Sequence, residues 1–333
     1  MGNIRIKSDK VAVYHLYTRV IHKHRLLGDA QREVWVAALH RAARFSGVEV
    51  ITYCAMQSHA HILVRVDPSK KACGDEELVA RFEALYGRSR AAWCRLNARE
   101  LAAVLAQGDT SRARELRERL WARMGDISAF MQTLKHRYTK WFNHTHETAG
   151  TLWAERFGSV LVEDEPSIVA LVAAYIDLNP VRAGLADLPE NYRWCGYAEA
   201  LAGNQDLRAS LAKCRPGAGD ALRALGRYRM LMLGKGASSK RDGTGGRIDP
   251  QALAKALADG GELPAHELLR LRLRFMTRGR ALGTEHWLSE GEGALALNQL
   301  KKPPALAPVE MVSGLPFTVA NRRAALVGVA SPG

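Results

Sequence analysis

Ser58-His59-Ala60-His61-Ile62-Leu63-Val64-Arg65-Val66 reads as a tight turn running into a β-strand. Side chains alternate between the two faces of a strand, so His59, His61, Leu63 and Arg65 share one face while Ala60, Ile62, Val64 and Val66 share the other. One face is apolar and builds core; the other carries two imidazoles at i and i+2. Neutral imidazole is the commonest nitrogen ligand of divalent cations, and two of them on one rigid strand make half of a coordination shell. The same pair also reads as ordinary polar residues on a solvated strand face, because two-residue matches recur by chance.

Outward from this strand, Val11 to Val20 alternates as an earlier strand, with His15, Tyr17 and Arg19 on the side that matches the histidine face. Asp29 is placed to cap a helix running through Ala43, whose Val34, Ala37, Ala38 and Ala42 recur at helical spacing. A turn at Gly47 leads into a β-rich run from Val48 to Met56, and Gln57-Ser58 leaves room only for a tight link to the histidine strand. Strand, helix, strand, strand predicts an α+β fold with a ferredoxin-like or RRM-like antiparallel sheet, its helices on one face and its other face open.

From Asp67 to about Met124 the pattern turns helical, with Leu78, Phe82, Leu85, Trp93, Leu96 and Leu101 in apolar stripes, and predicts a helical insertion over about 68–124. The alternating arginines and glutamates from Arg112 to Arg123 read as a salt-bridged, solvated helix face. A further helix from Ile127 to Phe142 sets Phe130, Leu134, Tyr138 and Trp141 beside Lys135, Arg137 and Lys140. Aromatics interleaved with basic residues suit a nucleic-acid backbone, although the aromatic stripe itself reads better as core. Thr148 to Val162 leads into a last strand, with Trp153, Arg156 and Phe157 at its entrance. The helix from Ile168 to Leu178 is apolar nearly all the way round and must be buried. Tyr175 and Asn179 stand four residues apart on one of its faces, and Pro180 ends or kinks it. Tyr175 reads either as a core aromatic or as a placed phenol, and Asn179 either as the start of the next turn or as an amide ligand.

The organisation expected is one domain over 8–200, a flexible basic linker region over 201–248, a small helical module over 249–300 and a disordered tail over 301–333. Thr277 to Leu288 within that module reads either as a helix-turn-helix-like DNA contact or as a packed appendage. The net charge of +14 and a pI near 9.8 point to a polyanionic partner, nucleic acid before membrane. No apolar run approaches the roughly 18 residues of a membrane span, and the polar N-terminus lacks a signal-peptide centre, so a cytoplasmic protein is expected, as monomer or homodimer. The five cysteines form no Cys-x-x-Cys pair and read as buried free thiols.

Jointly these features have one economical meaning. A tyrosine, with a free pKa of about 10, is a poor nucleophile and needs help. A divalent metal, Mg²⁺ or Mn²⁺, held by His59, His61 and an oxygen such as that of Asn179 would polarise a scissile phosphate and orient it for in-line attack. No carboxylate cluster supports a two-metal nuclease, and no Ser-His-Asp motif is present.

With those residues in place, the chain resembles the single-tyrosine HUH transposases, in particular the REP-associated tyrosine transposase branch. The resemblance is carried by Tyr14-His15-Leu16-Tyr17-Thr18-Arg19, by Met56-Gln57-Ser58-His59-Ala60-His61-Ile62-Leu63-Val64, by Leu152-Trp153-Ala154-Glu155-Arg156-Phe157 and by Tyr175-Ile176-Asp177-Leu178-Asn179-Pro180-Val181-Arg182-Ala183-Gly184. It spans Val11 to Tyr197. It implies His59 and His61 as the metal pair, Asn179 as third ligand and Tyr175 as nucleophile. The implied substrate is single-stranded or hairpin DNA, palindromic repeats included, cleaved through a 5′-phosphotyrosine link that leaves a free 3′-OH. Arg19, Lys135, Arg137, Arg156 and Arg182 are the expected DNA contacts. Ala60 is small for a position usually bulkier in that family, and the insertion is longer than in its compact members. The competing expectation is a catalytically silent nucleic-acid-binding protein that uses an open sheet face, as RRM modules do.

A chain this basic is expected to bind single-stranded DNA mainly by releasing counterions. Log affinity should fall linearly with log salt, with a slope of about −0.7 per phosphate neutralised. A filter-binding or anisotropy titration over several salt concentrations checks this, and a flat response would refute it.

Overall fold

All eight residues of the first strand pair antiparallel with all eight of the histidine strand, and this register decides what shares the equipped face: Tyr17 lies opposite His61, Arg19 opposite His59 and His15 opposite Leu63. The computed structural model describes residues 5–21, 26–214, 220–233, 275–300, 305–309 and 317–321. In chain order, its N-terminal part consists of β1 (Ala12–Arg19), α1 (Asp29–Ser46), β2 (Val48–Ala55), β3 (His59–Val66), α2 (Asp75–Tyr86), α3 (Ala98–Leu105), α4 (Ser111–Trp121) and α5 (Ile127–Thr145). Then follow β4 (Gly158–Val162), α6 (Pro166–Asp177), α7 (Asn179–Arg182), α8 (Gly196–Leu201), α9 (Gln205–Lys213) and α10 (Ala221–Leu233). The C-terminal elements are α11 (Phe275–Arg278), β5 (Ala281–Gly283), α12 (Glu285–Ser289), α13 (Glu292–Asn298), β6 (Ala305–Val309) and β7 (Phe317–Asn321).

The fold is α+β, and its sheet runs β2-β3-β1-β4-β5-β7-β6. The first four strands are antiparallel and have the order expected of a ferredoxin-like unit. α1 ends at Gly47, whose φ of 64° supplies the left-handed cap and lets its N–H reach the Ala43 and Arg44 carbonyls. Gly28, not Asp29, occupies the N-cap; Asp29 is the first helical residue and pairs with Arg32 instead.

One expectation is corrected at the equipped face, which is not open. On the apolar face, α1 and α5 cover the sheet: Trp35 meets Tyr53 with ring centroids 6.3 Å apart, and the Tyr138 hydroxyl of α5 donates to the Gln31 carbonyl of α1. On the opposite face lies α6. Its Tyr175 ring sits 6.3 Å from that of His15 and 6.4 Å from that of His61, and Asp177 accepts from the Thr52 hydroxyl at 2.7 Å. Every residue of α6 from Ile168 to Asp177 is buried. A helix apolar on all sides must be enclosed, and lying across the second sheet face encloses it.

The insertion forms α2, α3 and α4 as expected, with a satellite core of its own in which Phe45 of α1 packs with Leu78, Phe82, Leu101, Leu116 and Leu120. The expected linker over 201–248 is corrected in its first part. Leu207 and Leu211 of α9 and Leu225, Tyr228 and Met232 of α10 are buried, so this stretch packs against the sheet and α6. Residues 234–248, like 249–274 of the expected helical module, lie outside the described residues. The rest of that module packs on the main domain and joins its sheet: β5 pairs in parallel with β4. The expected disordered tail supplies β6 and β7, which extend the sheet beyond β5. Phe317-Thr318-Val319-Ala320-Asn321 is a short run of β-formers that needs an edge to pair with, and β5 offers one. Pro308 is tolerated because β6 is the outermost strand.

Asp177 joins three of these layers. Besides Thr52 of β2 it accepts from the Tyr228 hydroxyl of α10 at 2.7 Å, and from the Tyr197 N–H of α8 at 3.4 Å. Burial pushes its pKa up to about 7, against the lowering effect of those donors. Since the folded state holds this proton more tightly than the unfolded chain, the contribution is stabilising at low pH. It is lost as pH rises from about 4 through about 7, and amounts to a few kcal/mol at ~1.4 kcal/mol per pH unit. Urea denaturation midpoints should therefore fall more between pH 5 and pH 8 in the parent than in Asp177→Asn; equal slopes would contradict the burial argument.

Candidate active site

The two central strands bring three histidines together where the sequence marked two. His15 Nδ1 lies 2.7 Å from the Met276 carbonyl of α11, and His15 Nε2 lies 3.0 Å from His61 Nδ1. His15 is fully buried and His61 is 5% exposed. Burial lowers the His15 pKa to about 4, with the Met276 hydrogen bond opposing and the Arg182 charge assisting. Burial likewise holds His61 well below its ordinary value, helped by His15, His59, Arg182 and Arg19. Both rings are therefore neutral, the state in which an imidazole nitrogen binds a metal.

His59 is half-buried at the start of β3, with its Nδ1 3.1 Å from the Ser58 hydroxyl and its ring perpendicular to that of His61, centroids 5.1 Å apart. Asn179 opens α7, immediately after the break that Pro180 forces on α6. Its side-chain nitrogen donates to the carbonyls of Tyr175 at 3.2 Å and Ile176 at 3.0 Å, which commits the NH₂ group and leaves Oδ1 as acceptor. Among the described residues no group of three or more His, Cys, Asp or Glu side chains could hold a metal ion. An ion here would therefore draw on the His59 and His61 imidazoles and an amide oxygen, with phosphate and water oxygens completing its shell. That donor set fits a divalent cation that accepts nitrogen and oxygen together.

Tyr175 is buried between the sheet and α7. The Arg182 guanidinium stacks over its ring at 4.1 Å and donates to its backbone carbonyl at 2.8 Å, fixing ring and main chain together. Among the described residues the Tyr175 hydroxyl makes no hydrogen bond, so its oxygen is uncommitted. Tyr138, also buried, differs in its hydroxyl. It is 1% exposed, its hydroxyl is bound to the Gln31 carbonyl, and burial raises its pKa.

The five basic residues separate. Arg19 is exposed opposite His59, and Arg182 lies inside the site against Tyr175. Lys135 and Arg156 form a patch with Arg5 on the loop before β4. There Lys135 donates to the Glu155 carbonyl and lies over the Trp153 ring, and burial, then the Arg5 charge, lowers its pKa to about 8. The Arg5 guanidinium stacks 3.9 Å over Phe157, and its pKa is lowered by burial and then by Arg156. This loop borders the histidine end of the sheet, since the Ala154 N–H donates to the Arg19 carbonyl. Arg137 belongs elsewhere: it stacks over Tyr86 of α2 at 5.0 Å, near Arg41 and Arg123, at the root of the insertion.

Three components were not assigned to the site from the sequence. His15 and Tyr17 share strand parity with His59 and His61, a signal that was readable. The Met276 carbonyl, 261 residues from its partner, carries no sequence signal.

No family model matches the chain, and no curated protein matches it. Among solved structures, that of a REP-associated tyrosine transposase bound to a REP hairpin is similar, with a TM-score of 0.37 and 14% identity over 61% of this chain and 87% of that chain. At that level of likeness nothing about the site transfers.

Tyr17 lies flat across Gly158 of β4: a Cβ at that position would come within 2.0 Å of the Tyr17 ring. Gly158→Ala is expected to cost about 1–3 kcal/mol as an overpacked contact. The thermal midpoint should drop, and Tyr17→Ala in the same chain should recover part of the loss. Additive losses in the double variant would refute the contact.

Proposed function

We propose that the chain is a metal-dependent DNA strand transferase that cleaves and rejoins single-stranded or hairpin DNA through a 5′-phosphotyrosine intermediate. The observation that carries this reading is the uncommitted Tyr175 hydroxyl, on a ring held by Arg182 and set against the His15 and His61 imidazoles. A structural core tyrosine has no use for a stacked arginine and a neutral imidazole pair in one pocket. A divalent ion bound by His59, His61 and Asn179 would polarise the scissile phosphate and neutralise charge on its oxygens.

The remaining work falls to the chain. Arg182 fixes the ring so that the phenol oxygen reaches phosphorus in line, a placement gain that requires about 3–3.5 Å of approach. The Tyr175 oxygen forms the new bond to phosphorus as the bond to the 3′-oxygen breaks. The phenol proton passes to water, and the departing 3′-oxygen takes a proton to become a free hydroxyl. Arg19, at the exposed mouth, and the patch of Arg5, Lys135 and Arg156 lie where the flanking phosphates would run. Rejoining is the same step in reverse with a different 3′-hydroxyl. The silent-binding alternative through an open sheet face loses its surface, because α6 occupies that face.

The test is an adduct assay with labelled hairpin oligonucleotides drawn from palindromes flanking the gene, in Mg²⁺ or Mn²⁺. A covalent product stable in denaturing gels is expected. Tyr175→Phe, His59→Ala and His61→Ala should abolish it, Arg182→Ala should slow it about 100-fold, and Tyr138→Phe should retain it. An adduct that survives in Tyr175→Phe, or no adduct on any flanking hairpin despite tight binding, would overturn the proposal.

A further inference from the structure

We infer that His15 is a positioning residue which, anchored by the Met276 carbonyl, holds His61 in the Nδ1–H tautomer and so keeps its Nε2 free to bind a cation. The inference deepens the proposed function and rests on His61 being a ligand, but the argument is one of proton counting.

A backbone carbonyl only accepts hydrogen bonds, so the nitrogen 2.7 Å from it, His15 Nδ1, must carry a proton. A neutral imidazole has one N–H, which leaves His15 Nε2 with a bare lone pair. That lone pair faces His61 Nδ1 at 3.0 Å, so His61 Nδ1 must be the donor. By the same count His61 Nε2 is left unprotonated. One carbonyl thus determines, two rings away, which nitrogen can take a ligand. Reversing the chain would require a third proton: an imidazolium at His15 donating to His61 would leave His61 with Nε2–H and useless to a metal. Nothing nearby favours that charge. His15 is fully buried, Arg182 and Arg19 already bring positive charge to the site, and no carboxylate among the described residues hydrogen-bonds to either ring. Outer partners of this kind orient metal-binding histidines generally, and their removal typically costs about 10–100-fold in metal affinity.

A second consequence concerns the C-terminal elements. α11 and β5 are joined to the transposase-like unit through the β4–β5 pairing, and the relay ends on α11. They are part of the site, and their role there is to supply an acceptor.

Tautomers can be read directly. In the full-length protein labelled with ¹⁵N at histidine and stripped of metal by chelator, a two-bond ¹H–¹⁵N correlation spectrum distinguishes protonated from bare ring nitrogens, and His61→Asn assigns the signals. The expected result is a protonated Nδ1 and a bare Nε2 for His61. His15→Phe keeps the ring volume but removes the acceptor; His61 should move to the Nε2–H form, and the dissociation constant for Mn²⁺, followed by electron paramagnetic resonance, should rise about 10–100-fold. His15→Gln, which keeps an acceptor at the position of Nε2, should retain the parent tautomer and most of the affinity. A parent spectrum with His61 Nε2–H, or an unchanged tautomer in His15→Phe, overturns the inference. If His15→Phe fails to fold, the parent spectrum and His15→Gln still decide it. Neither readout uses DNA. An Nδ1–H His61 in a protein that forms no adduct would sustain the relay and sink the strand transferase, and an adduct-forming protein with Nε2–H would do the opposite.

Discussion

Burying two imidazoles side by side is possible only if every proton they carry meets an acceptor. An unmade hydrogen bond in a dry interior costs about 1–3 kcal/mol, and the His15–His61 pair avoids that cost through the carbonyl of Met276. The arrangement depends on three pieces of chain that are far apart in sequence. The β1–β3 register sets the rings within reach, α6 closes the face over them, and α11 ends the chain of donors. Slipping either strand by one residue would send the rings into the apolar core, because strand parity is strict. The site and the fold are therefore held by one constraint.

The order of the first four strands and the equipped face of β3 were legible because each rests on local signals: alternation, a glycine stop after α1, and a two-residue link before His59. Tyr175 and Asn179 could be placed on one helix face for the same reason. What the sequence left unread was non-local. Nothing in Ile168 to Leu178 states which surface will bury it, and an all-round apolar helix is compatible with several layers. Only the packed structure shows it lying across the histidine face. β5, β6 and β7 are short strands that acquire their meaning from a neighbouring edge, so a Pro-rich segment with weak patterning concealed two of them. Arg137 and Arg182 show the same limit in electrostatics. Both are expected DNA contacts whose surroundings the sequence does not state: one stacks on Tyr86 at the root of the insertion and the other on Tyr175 within the site.

The net charge of +14 is also unevenly available. In the insertion several arginines are matched by local acids: Arg81 pairs with Glu77, Arg112 and Arg119 with Glu115, and Arg117 with Asp75. The Arg112 and Arg119 pairs are solvated and contribute little to stability, whereas the Arg81 and Arg117 guanidinia are largely buried; all four neutralise the surface they occupy. Arg19 and Arg156 have no carboxylate partner among the described residues. Arg5, Lys135 and Arg156 lie together near the histidine end of the sheet, where burial first and mutual repulsion second lower the pKa of Arg5 and Lys135.

Exposure along β1 and β3 then sets the direction of approach. Arg19 is exposed and His59 and Tyr17 are half-buried, whereas His15 and Leu63, further along the same face, are fully enclosed beneath α6. Asn179 is half-buried at the point where α6 gives way to α7. Among the described residues, exposure on this face therefore increases toward the end of the sheet that carries Arg19 and His59. A groove-spanning duplex presents its phosphates on a broad convex surface, while a single strand or the end of a hairpin can thread one phosphate into a recess. If the proposed function holds, the helix that denies this protein an open binding face would favour a flexible strand over a duplex.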